Sequence, residues 1–124
     1  MKATAPGQYI HSSFTTVNTI KDGEIIIIVS VDNYSQFCLT PAIIKELNFN
    51  EVAKHVHSVI QELRKNHENI MPVIYLSYAE EYIDRLALLF DEECTIEYNP
   101  TTANEIALPV FESLLNKISP LSTT

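Results

Sequence analysis

The stretch IIIIVSVDNYSQF, residues 25–37, decides how this chain is read. Its first seven residues are continuously apolar apart from one serine and rich in β-branched side chains, which favour a pleated backbone. An apolar run without polar alternation belongs to a strand covered on both faces, so residues 25–31 are expected near the middle of a sheet. Asp32, Asn33 and Ser35 then interrupt it with turn chemistry, and Asp32 is expected to accept backbone hydrogen bonds within that turn. The segment QFCLTPAI, residues 36–43, resumes as a third strand that ends near Pro41.

Ahead of it, YIHSSFTTVNTI (residues 9–20) reads as a strand, joined to the isoleucine run by KDGE (residues 21–24). Asp-Gly at the centre of such a connection is a strong hairpin signal. The first third of the chain is therefore expected to be a three-stranded antiparallel meander. The pattern changes at Asn48, which with Glu51 forms a capping-box spacing ahead of a helix reaching about Lys65. Val52, Val56, Val59, Ile60 and Leu63 share one face of that helix. MPVIYLS (residues 71–77) reads as a buried strand, and Ser77 with Glu80 as a second capping pair. Tyr82, Ile83, Leu86, Leu89 and Phe90 mark the next helix, and CTIEY (residues 94–98) a last strand. A final helix carries Val110, Phe111, Leu114, Leu115 and Ile118, with Pro109 at its first position; a competing start lies at Thr102, with Glu105 as capping partner. The order β-β-β-α-β-α-β-α gives an α/β fold, a five-stranded mixed sheet flanked by helices.

With 124 residues, 46% of them hydrophobic, the chain is read as a single globular domain over residues 1–124, its ordered core at about 9–118. No apolar run is long enough for a membrane span and no signal-peptide layout opens the chain, which points to a soluble cytoplasmic domain. Cys38 and Cys94 are expected as free, buried thiols. Sixteen acidic against eight basic residues, a net charge of −8, make a poor electrostatic footprint for nucleic acid. Two glycines cannot build a phosphate-cradling loop. His55 and His57, two apart on a helix, do not converge on one metal, and His11 and His67 stand elsewhere in the chain.

The local text resembles the catalytic core of retroviral-type integrases and insertion-sequence transposases, of the ribonuclease-H-like superfamily. IIIIVSVDNYSQF is similar to that family's apolar strand ending in V-D-x-F/Y-S, with Gln36 in place of a basic residue. IYLSYAEEY (residues 74–82) falls where the family has a motif like HSDxGxxY, Tyr82 matching the closing aromatic. DRLALLF, TIEYNPTT and FES follow in the family's order, and the likeness runs over about residues 9–118.

The resemblance implies a ribonuclease-H-like sheet and a DNA cutting-and-joining chemistry in which two Asp and one Glu hold two metal ions. Carried over residue by residue, the three positions fall on Asn18, Ser77 and Glu112, so one acid of three remains. The implied reading is a degenerate integrase core that is not an enzyme, has no metal or other cofactor, and works through protein contacts, a homodimer among them. The alternative is an active or DNA-bound transposase or integrase core engaged in DNA integration and dependent on Mg2+. A third reading is a small α/β regulatory or ligand-binding module. The residue types also have plain structural roles: Ser77 as a helix cap, Glu112 beside a helix N-terminus, and Asn18 as a polar strand residue near a turn.

Overall fold

The computed structural model describes residues 3–21, 23–39 and 41–100. Strand β1 spans Tyr9–Thr19, β2 Gly23–Asp32, β3 Ala42–Ile44, β4 Val73–Leu76 and β5 Thr95–Tyr98. Helix α1 spans Phe49–Arg64; a single 3-10 turn at Glu80–Tyr82 leads into α2, Ile83–Leu89. The strands form one sheet in the order β3-β2-β1-β4-β5. β1 pairs antiparallel with β2 and parallel with β4; β2 with β3 is antiparallel and β4 with β5 parallel. The expected meander and the central place of β1 beside β4 are both present. The expected final helix, with Pro109 and Glu112, lies outside the described residues, as do Asp22, Thr102 and Glu105.

Successive side chains of a strand point to opposite faces. One face of the sheet, through Ile10, Ile28, Ile74, Leu76 and Ile96, packs against α1 through Val52, Val56, Val59, Ile60 and Leu63, with Leu86 and Phe90 closing the layer. Each fully buried aliphatic of this kind contributes roughly 1.5–3 kcal/mol. The other face carries Val17, Ile27, Val29 and Val31, also buried. Burial on both faces explains why the isoleucine run lacks polar alternation. Helix α1 starts as its sequence predicts: Asn48 Oδ1 accepts the Glu51 N–H at 3.0 Å.

Three expectations are corrected. The third strand is only Ala42–Ile44 and not residues 36–43. Gln36 adopts a left-handed backbone (φ 61°), and the chain rejoins β2 through a lone bridge between Val31 and Cys38 before Pro41. Pro41 has no N–H to offer a ladder, so regular pairing resumes only after it. Ser77 does not cap the second helix. Ala79, at φ 61°, turns the chain sharply between Ser77 and the 3-10 turn, which has no side-chain cap. Cys94 is buried, but Cys38 is only half-buried, and neither is in a disulfide.

Candidate functional site

Parallel pairing of β1 with β4 sets Ser12 opposite Leu76, and the ladder continues as the Ser77 N–H donates to the Ser12 carbonyl at 3.0 Å. Ser77, just beyond the C-terminal end of β4, therefore lies beside Ser13. Its hydroxyl donates to Ser13 Oγ at 2.8 Å. In open α/β sheets the carboxyl ends of parallel strands are where ligands are bound, because side chains from two strands converge there. The next residue, Tyr78, turns back into the α1 layer. Its hydroxyl shares a 2.9 Å hydrogen bond with Ser12 Oγ, and Phe14 meets its ring edge-on. Burial pushes the Tyr78 hydroxyl well above the usual phenol range.

Of the three positions carried over from the resemblance, the described structure places two and does not bring them together. Asn18 is exposed near the far end of β1, opposite Glu24. It lies five positions along the strand from Ser13, about 16 Å at the rise of an extended chain. An odd offset also turns it to the other face. The third, Glu112, lies outside the described residues. The residue that meets Ser77 is Ser13, which the sequence reading missed. Its signal was the pair of small hydroxyls, Ser12 and Ser13, set inside an otherwise apolar and β-branched strand.

Among the described residues, Ser77 and Ser13 bring two neutral hydroxyls together at this junction. Hard divalent cations take anionic oxygens, and a pair of such ions takes several. Ser13 and Ser77 supply none, so this pair does not fit a two-metal centre. Among the described residues no three His, Cys, Asp or Glu side chains gather closely enough to hold a metal ion. Glu80, Glu81 and Asp84 follow Ser77 in the chain but are exposed around the 3-10 turn and the first turn of α2.

The turn after β2, from Asp32, is structural. Asp32 is buried, and its carboxylate accepts from the Gly7 N–H at 3.0 Å, the Tyr34 N–H at 3.1 Å and the Ser35 hydroxyl at 3.1 Å. It ties the N-terminal segment to the β2 end and borders a cavity of about 320 Å3 lined also by Phe37, Leu39 and Leu63. Next to it, Asn33 Oδ1 accepts the Ala3 N–H while Nδ2 donates to His11 Nε2 at 2.9 Å. His11 is fully buried and stacks on Tyr75, with ring centroids 5.4 Å apart. His55, on the core face of α1, bonds Ser30 Oγ through Nε2 at 2.7 Å; burial holds its pKa down at about 4, so the ring is neutral near pH 7. Neither Ser30 nor His55 reaches solvent, so this serine–histidine pair has no access to a substrate.

The order β3-β2-β1-β4-β5, with its antiparallel meander and parallel β4 and β5, is a ribonuclease-H-like fold. Among solved structures, this chain is similar to a chain of the cryo-EM structure of the simian T-cell lymphotropic virus intasome in complex with PP2A regulatory subunit B56 gamma. The TM-score is 0.66 at 12% identity, over 97% of this chain and 44% of that one. At that identity the likeness is one of fold, and this chain spans less than half of the intasome chain it matches. No family model matches the chain, and no curated protein matches it in sequence. No helix of the described residues is long and apolar enough to cross a membrane.

Proposed function

We propose that the chain is an integrase-core-like domain without metal-dependent DNA cutting or joining, acting through contacts with other proteins. The observation that carries this is the Ser77–Ser13 hydrogen bond of 2.8 Å at the β1–β4 junction. In-line phosphoryl transfer by two metals needs anionic ligands to hold the ions that activate the nucleophile and stabilise the leaving oxygen. Two neutral hydroxyls, one just beyond β4 and one within β1, do not supply them. A net charge of −8 also favours protein over phosphate-backbone partners, and the matched intasome chain comes from a complex with a protein subunit.

The test is a cleavage and strand-transfer assay on short duplex DNA with Mg2+ or Mn2+ and the purified protein. The expected result is no divalent-dependent product. Mn2+-dependent cleavage that disappears in Glu112→Gln would overturn the reading and establish an active core.

A further inference from the structure

Leu88 and Leu89, at the C-terminal end of α2, are 80% and 58% exposed, although Leu86 and Phe90 on either side are buried. Large aliphatics gathered at the surface are the informative exception in a folded chain. They do not stand alone. Leu89 and Phe90 line one side of a groove of about 470 Å3 whose other side is α1, through Phe49, Ala53 and His57. Leu88 and Leu89 also border a second hollow of about 410 Å3, whose remaining lining is the acidic run Asp91, Glu92 and Glu93. Glu93 faces Arg64 at 3.7 Å, while Asp91 and Glu92 are exposed. On the opposite wall the one lysine, Lys54, approaches Glu51 at 3.5 Å. An apolar floor thus runs directly into an acidic wall.

We propose that the groove between α1 and the end of α2, together with the adjoining hollow beyond Leu89, docks an apolar and basic segment of another protein. That segment would be an amphipathic helix with aliphatic side chains against Leu88 and Leu89 and Lys or Arg beside Asp91 and Glu92. This deepens the protein-contact reading above and rests on it. Helix-in-groove recognition takes its affinity from apolar anchors and its selectivity from flanking charge, and both halves are present here. A second copy of the chain fits less well. A two-fold pairing through this patch would bring each acidic run towards its own copy, at a net charge of −8 per chain. Such charges repel within a screening length of about 8 Å at physiological salt.

The probe is a displayed library of random peptides, selected on the folded protein and counter-selected on the Leu88→Ser, Leu89→Ser variant. Both replaced side chains are exposed, so that variant keeps its fold. Selected peptides are expected to pair aliphatic residues with a net positive charge. In fluorescence anisotropy the double serine variant should weaken their binding about tenfold or more. The Asp91→Asn, Glu92→Gln variant should weaken it about threefold to tenfold and flatten its salt dependence. Uncharged or acidic peptides, binding indifferent to Asp91→Asn, Glu92→Gln, or no peptide removed by the counter-selection would overturn the proposal. So would a dimer in sedimentation that dissolves in the double serine variant. Failure here with no divalent-dependent DNA cleavage removes this surface alone. Cleavage with peptide binding intact removes the inactive-core reading alone.

Discussion

Ser13 and Ser77 hold each other across two parallel strands, so the energy of that contact belongs to the pair and to neither residue alone. Removing both hydroxyls singly and together isolates it. In a double-mutant cycle of Ser13→Ala and Ser77→Ala, followed by urea unfolding, the coupling is expected at about 0.5–1.5 kcal/mol, the usual net worth of a neutral hydrogen bond. A coupling near zero would mean that the two hydroxyls are satisfied independently. His55 supplies a second residue-scale prediction. Its ordinary pKa is 6.5 and burial lowers it to about 4 in the folded chain. Between those values the unfolded chain binds the extra proton, so stability is fully present above about pH 6.5 and is lost as pH falls towards 4. The slope from this one group is at most about 1.4 kcal/mol per pH unit; burial lowers His11 as well, with the same sign. His55→Gln should therefore show a shallower fall in its urea midpoint over that window, and an unchanged slope would remove His55 as the cause. Neither pair was legible in the sequence. The resemblance puts the first of its three positions at Asn18, in the first strand. The register that sets Ser13 beside Ser77 is fixed by hydrogen bonds between β1 and β4, far apart in the chain.

Among the elements, those with a periodic signal and a local cap were readable, and those governed by unusual backbone were not. Helix α1 carried its apolar face and its Asn48 cap in the sequence, and the structure reproduces both. The third strand and the start of the second helix were misplaced at Gln36 and Ala79. Both residues have positive φ, and neither is glycine, the residue that normally announces such a turn. The two glycines, Gly7 and Gly23, share that backbone region at φ 74° and 68°, but their surroundings differ. A methyl group on Gly23, in the β1–β2 hairpin, would meet open space; on Gly7 it would collide with the Ile70 side chain. Gly23→Ala is therefore expected to cost the left-handed strain alone, about 1–2 kcal/mol. Gly7→Ala adds overpacking, about another 1–3 kcal/mol. Thermal or urea unfolding compares the two, and Ile70→Ala should recover part of the Gly7→Ala loss. Equal losses would show that the Ile70 side chain swings aside without cost.

For the molecule as a whole, the fold and the charge pull in opposite directions. A ribonuclease-H-like sheet is compatible with nucleic-acid work, but a fold does not fix a function. Affinity for duplex DNA comes mostly from Lys and Arg displacing counterions from phosphates. Eight such residues stand against sixteen acids here. Among the described residues, Lys54 approaches Glu51 and Arg64 approaches Glu93, while Arg85 lies over the Phe49 ring at 3.8 Å. Lys21, Lys45 and Lys65 are exposed, but they stand at the β1–β2 hairpin, just after β3 and at the end of α1. Three separate cations cannot track a phosphate backbone, and the net field of the chain repels a polyanion before contact. Binding to a short duplex is therefore expected to be weaker than micromolar at about 150 mM salt. A salt titration followed by anisotropy checks it. A micromolar or tighter complex that loosens steeply as salt rises would overturn this expectation. The weight would then pass from a protein partner to DNA.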